Sequence, residues 1–291
     1  MATTLQHRAQ QLAALLPPLL LEAERVASAV QQGIHGRRRA GTGESFWQFR
    51  RYAPGDAAAS IDWRQSARTD RLFIREREWE AAQSVYLWAD ASGSMRYSSH
   101  KTLPTKTERA QVLMLALASL LLRAGEQVTW LAAAPITVRG RSGLTRIAEH
   151  IVHAQEDKAS LPPQTRLARH AHMILSSDFL MPPEELEMLM RRYAALNLRG
   201  ALVHILDPAE EDFQLEGRLE LKGCEGEAPL LLPNAKILRE EYRQRLQEHK
   251  SRLMRYAQSA GWFYLAHNTQ IPPQQELLKL YQYLSVDPRG L

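Results

Sequence analysis

Hydrophobic and polar positions change their rhythm three times along the chain. Over residues 3–33, Leu12, Leu15, Leu16, Leu19, Ala23, Val26 and Val30 recur at helical spacing, which predicts an N-terminal helix. Pro17 and Pro18 are expected to break or kink it, since proline lacks the amide the helix needs. Four glycines between Gly33 and Gly43 then mark a loop. From Ser45 to Glu80 the apolar positions fall in short clusters separated by arginines. Phe46, Phe49 and Tyr52 lead to a Pro54-Gly55-Asp56 turn, and Ile61-Asp62-Trp63 and Leu72-Phe73-Ile74 read as short strands. This pattern predicts a small β-rich subdomain.

From Ser84 onward the rhythm is that of an α/β chain. Buried strands are predicted at 84–89, 127–133, 172–176, 201–206 and 262–266, with a short one at 136–138. Helices are predicted at 107–123, 145–155, 183–196, 235–260 and 273–284. Strands alternating with helices of this length imply a mostly parallel sheet covered on both faces, that is, a Rossmann-like doubly wound fold. The expected division is therefore 1–80, an N-terminal helix with the β-rich subdomain, and 81–291, the α/β domain.

In such sheets ligands bind beyond the carboxyl ends of the strands. Three predicted strands end in aspartate: Asp90, Asp178 and Asp207. The first is followed at once by Asp90-Ala91-Ser92-Gly93-Ser94-Met95. One carboxylate and two hydroxyls at alternating positions can aim at one point, with Gly93 expected to permit a tight turn. An oxygen-only donor set suits a hard cation such as Mg²⁺, with Mn²⁺ or Ca²⁺ as substitutes. A competing reading makes Asp90 or Ser92 a cap on the backbone amides that follow.

This loop resembles the metal-ion-dependent adhesion site of von Willebrand factor type A domains. That resemblance implies metal ligands at Asp90, Ser92 and Ser94, a third-loop ligand at Asp178, and a second-loop threonine at Thr145, with Thr165 as the alternative. Upstream, Arg51-Tyr52-Ala53-Pro54-Gly55-Asp56 and Ile61-Asp62-Trp63-Arg64-Gln65-Ser66-Ala67-Arg68 are similar to the block that precedes such a domain in the bacterial domain-of-unknown-function 58 family. The resemblance covers about residues 30–285. It implies a non-enzymatic interaction module that partners a MoxR-type AAA+ ATPase and takes an acidic side chain from a protein ligand. Arg51, Asp56, Asp62, Arg64 and Arg68 are the candidate partner-binding residues. Mixed charge of this kind also reads as a surface of solvated ion pairs.

Composition narrows the alternatives. The net charge is +5, and 30 of the 37 basic residues are arginine. Residues 37–77 carry ten arginines against five acids, but the interleaved acids and the lack of a recognised motif argue against nucleic-acid binding. The single cysteine, Cys224, excludes an intrachain disulfide or multi-cysteine zinc site. The longest apolar run, Val112 to Leu122, has 11 residues, against ~20 for a membrane span. With no signal-peptide pattern at the N-terminus, the expectation is a cytoplasmic protein. A phosphatase of the haloacid dehalogenase type would need a second aspartate where Ser92 stands. Neither a nucleophile elbow nor a Walker loop occurs. His150, His153, His170 and His172 read as surface histidines, since no glutamate stands in a metalloprotease pattern between the first pair.

Overall fold

The computed structural model describes residues 19–31, 46–52, 61–68, 71–77, 83–153, 160–213, 219–221, 230–232 and 235–285. The chain divides into two compact units, Gly33–Ala82 and a larger unit of Met1–Gln32 with Gln83–Leu291.

In the smaller unit, β1 (Phe46–Arg51) and β2 (Phe73–Arg77) form an antiparallel pair. The expected strand at Ile61–Trp63 is absent. Ile61 makes a single bridge, and Trp63–Ser66 turns into a short helix, α2. Ser66 explains the change. Its amide and hydroxyl both donate to the Asp62 carbonyl, at 2.9 and 2.8 Å, and its Oγ accepts from the Phe73 amide at 2.9 Å. A side-chain hydroxyl that satisfies backbone groups on both sides stabilises a turn over a ladder.

The larger unit holds a six-stranded sheet in the order β10-β7-β6-β3-β4-β5. Its strands are β3 (Ser84–Ala89), β4 (Gln127–Trp130), β5 (Ile136–Val138), β6 (His172–Ser177), β7 (Arg199–Leu206) and β10 (Phe263–Asn268). Only β5, at one edge, runs antiparallel. A separate hairpin pairs β8 (Leu219–Leu221) with β9 (Leu230–Leu232). The chain winds from β3 outward to β5, then returns to β6 and winds the other way. The switch point is therefore between β3 and β6, where a doubly wound sheet opens a crevice.

Both faces are covered. On one lies α3 (Lys106–Arg123), buried along nearly its whole length from Ala110 to Leu122, with α4 (Gly143–His153) and α8 (Gln274–Ser285) beside it. A helix apolar all round belongs in a core, and its first turn is fixed by a capping box between Thr105 and Glu108. The other face packs against α5 (Pro183–Ala195) and α7 (Ala235–Ser259) through Trp88, Met173, Leu175, Tyr193, Leu253 and Trp262. Gly200 is required there, because a Cβ would lie 1.9 Å from the Met173 carbonyl oxygen of the neighbouring strand.

The N-terminal helix, α1 (residues 19–31), groups with this α/β unit and not with the β-rich one, so the expected boundary at residue 80 does not separate the compact units. Ala23, Val26, Ala27 and Val30 give α1 a buried face. Glu24 accepts from Ser119 Oγ at 2.9 Å and pairs with Arg123, tying α1 to α3. No helix among the described residues is long and apolar enough to cross a membrane.

Candidate functional site

The register puts Ala89 beside Ser176, so the β3 and β6 ends lie side by side at the switch point. Asp90 and Asp178 are both buried there. Asp90 is only 1% exposed. Its Oδ1 accepts from the Ser92 amide at 2.8 Å and its Oδ2 from Ser177 Oγ at 2.6 Å. Ser92 Oγ lies 3.2 Å from Ser94 Oγ. Burial is the largest influence on Asp90 and pushes its carboxyl up to about 6, against the opposing hydrogen bonds from Ser177 and Ser92. Desolvation thus disfavours the charged form of this carboxyl. Gly93 adopts ordinary right-handed helical angles, so its backbone conformation does not demand glycine there. Met95 anchors the turn in the core, and Ser94–Arg96 form one turn of 3₁₀-helix.

Asp178 has a partner the sequence reading missed. Lys106, first residue of α3, donates its Nζ to Asp178 Oδ2 at 2.9 Å and to Glu210 Oε1 at 2.6 Å. Its side chain is 1% exposed. Burial alone would lower its pKa, but the two carboxylates hold it above the ordinary lysine value, so Lys106 stays charged. Glu210 belongs to α6 (Pro208–Asp212), where its Oε2 accepts from the Asp207 amide at 2.8 Å. Asp207 accepts from the Ala209 and Ser99 amides at 2.9 and 3.0 Å, which fastens the loop before α3 to the end of β7. Behind Asp178, His249 Nε2 donates to its carbonyl at 3.1 Å and meets buried His204 edge-on at 5.3 Å. Burial drives the His204 pKa well down, so a neutral imidazole backs the loop. Phe179, next in the chain, has φ 54°, an uncommon backbone conformation for a bulky residue, and its ring is buried against His204.

Thr145 does not join this cluster. It is exposed in the first turn of α4. That turn packs at the other edge of the sheet, where a Cβ on Gly143 would touch Val138, the last residue of antiparallel β5. Thr165 is no closer, since its carbonyl accepts from Arg192 in the last turn of α5, again at the amino edge of the parallel strands. Among the partner-binding candidates, Arg51, Asp62, Arg64 and Arg68 lie in the smaller unit, and Asp56 lies outside the described residues. His153 and His170 are exposed, and His150 and His172 are half-buried. No group of three or more His, Cys, Asp or Glu side chains able to hold a metal occurs among the described residues.

Three of the expected oxygen ligands therefore converge: Asp90, Ser92 and Ser94. The Asp90 oxygens each accept one strong bond, yet a carboxylate offers about four lone-pair directions, so coordinating capacity remains. One carboxylate and two hydroxyls are a donor set of the kind a hard divalent cation takes. Asp178 is present but committed to Lys106. Two imidazoles behind Asp178 are engaged elsewhere: His204 Nδ1 with the Tyr264 hydroxyl and His249 Nε2 with the Asp178 carbonyl.

No curated protein matches the sequence. Two solved structures resemble the fold at low similarity. One is the conserved hypothetical protein BatB from Bacteroides thetaiotaomicron, at 12% identity over 70% of this chain and 99% of that one, with a TM-score of 0.39. The other is an aerotolerance-related membrane protein from Bacteroides fragilis NCTC 9343 bearing multiple mutations to serines. It shows 11% identity over 69% of this chain and 100% of that one, with a TM-score of 0.37. The family model DUF58, a protein family of unknown function, matches residues 48–252. That match runs through the Arg-Tyr block, the Asp90 loop and Asp178 and takes in most of the chain, so the protein belongs to the DUF58 family.

Proposed function

We propose that this protein is a non-enzymatic interaction module whose docking point is the Asp90–Ser92–Ser94 loop, holding a divalent cation that a partner's acidic side chain completes. The observation that carries this reading is the placement of one buried carboxylate and two hydroxyls at the switch point of the sheet. Bound there, Mg²⁺, Mn²⁺ or Ca²⁺ would supply the positive charge that buried Asp90 lacks, as well as an open coordination position for an incoming carboxylate. The chain's own residues orient the ligands: Ser177 and the Ser92 amide fix the Asp90 carboxylate, and Met95 fixes the turn that carries both serines. The family resemblance supports a MoxR-type AAA+ ATPase as partner, in assembling or activating another protein.

The test is capture of the MoxR-type ATPase of the same organism on the immobilised protein. Capture is expected in Mg²⁺, lost in EDTA, restored by Mg²⁺ and absent with Asp90→Ala. Capture that survives both EDTA and Asp90→Ala would move the interface elsewhere. Mg²⁺-dependent phosphate-ester hydrolysis lost in Asp90→Asn would overturn the non-enzymatic reading.

A further inference from the structure

The Asp90–Ser92–Ser94 loop and the Lys106 ammonium stand at the same edge of the sheet, and the Asp178 carboxylate lies at that edge with them. Asp178 ends the strand beside that of Asp90, close enough for its charge to act on the Asp90 carboxyl. Yet Asp178 Oδ2 is taken by Lys106, and its Oδ1 accepts from the Leu180 amide at 3.2 Å. Lys106 is held from the far side by Glu210, which is itself locked to the Asp207 amide. An ammonium buried to 1% exposure between two carboxylates is a permanent cation, not a surface lysine.

We infer that Lys106 sets the cation affinity of this site: it withholds Asp178, so the ion on Asp90, Ser92 and Ser94 has a single carboxylate until a partner brings the second. This deepens the reading above and rests on it. The consequence is a site that holds its ion weakly alone and firmly only in a complex. Charge supplies the reason. A fixed positive charge near a divalent ion repels it through a medium far less polar than water, and the same charge cancels the attraction of Asp178. Lys106 is a positioning residue here, because it acts through Asp178.

The experiment is a Mn²⁺ titration of the full chain without partner, followed by electron paramagnetic resonance of free Mn²⁺. Lys106→Met, which frees Asp178, is expected to bind Mn²⁺ at least tenfold more tightly than the wild type. Glu210→Gln, which keeps Lys106 but removes its counter-charge, is expected to bind less tightly. The second variant decides the matter if Lys106→Met does not fold. Equal affinities in all three proteins, each lost with Asp90→Ala, would overturn the role of Lys106 and leave the cation site standing. Mn²⁺ binding that ignores Asp90→Ala, or none in any variant, would overturn both.

Discussion

Two buried polar clusters lie at the N-terminal end of α3, and they are built on opposite principles. Toward β6 and β7, Lys106, Asp178, Asp207 and Glu210 are bonded to one another or to backbone amides. Toward β10 and α8, Arg109 donates to the Thr269 carbonyl at 3.0 Å, but most of the neighbouring polar atoms lack such partners. Arg109 Nε, both ring nitrogens of His267, Thr269 Oγ1 and Glu276 Oε2 are buried with no hydrogen bond to any described residue. Among them, His267 Nδ1 stands 3.7 Å from Glu276 Oε2. A saturated network rigidifies loops and holds charge in place, whereas an orphaned group costs about 1–3 kcal/mol for its lost hydration. The sheet edge that carries the candidate site is thus the preorganised one. The α8 side holds its buried polar atoms without protein partners among the described residues.

Breaking the saturated network should have the largest effect. Asp178→Ala leaves Lys106 with Glu210 alone and removes the acceptor of the Leu180 amide. Losing one partner of a buried ion pair costs about 3–5 kcal/mol. Chemical denaturation should show a loss of that size without a change in slope. A loss below about 1 kcal/mol would mean the ammonium reaches water and the network is not closed.

The second cluster should reveal itself through pH. Burial, reinforced by Arg109 and Lys279 and opposed by Glu211, pushes the His267 pKa down to about 4 from its ordinary 6.5. Glu276 also faces the ring. Folding therefore favours the neutral imidazole. Its contribution is complete above pH 6.5 and is lost as the pH falls toward 4. A shift of this size corresponds to roughly 3 kcal/mol over that window. The melting temperature of the wild type should drop more steeply between pH 6.5 and 4.5 than that of His267→Leu. Parallel curves would show that the ring is charged or solvated in the folded protein.

How much of this was legible in the sequence follows from how local each signal is. The strands at 84–89, 172–177 and 199–206 each hold consecutive apolar residues, Val85–Trp88, Met173–Leu175 and Ala201–Val203, because both faces of a parallel sheet are covered, so these runs reveal them. Asp90 and Asp178 are legible because the sheet edge is where the chain must turn. Lys106 is not, since a lysine at a helix start reads as a solvated charge, and its partners lie 72 and 104 residues away. Thr145 was misplaced for a topological reason. The short β5 runs antiparallel, which returns the chain to the amino edge before α4 begins. Ile61–Trp63 failed because Ser66 captures the backbone locally, a competition that propensity does not register.

The smallest predicted effect separates the two clusters most sharply. Thr269→Val swaps a hydroxyl for a methyl at nearly constant volume, at a position that is fully buried. The Thr269 backbone is untouched: its amide still donates to the Leu206 carbonyl at 2.9 Å and its carbonyl still accepts from Arg109. Only the orphaned Oγ1 is removed. If the hydroxyl is dry, the change relieves an unpaid desolvation cost and should stabilise the protein by up to about 1 kcal/mol. If an internal water bridges it to Glu276 or His267, the same change strands that water and should cost about 1 kcal/mol. At the other edge the corresponding change at Asp178, Asp207 or Glu210 would strand a bonded partner. A stabilised Thr269→Val beside a strongly destabilised Asp178→Ala would confirm the contrast between a strained cluster and a closed network. Destabilisation of both would make the α8 cluster a second, water-completed network.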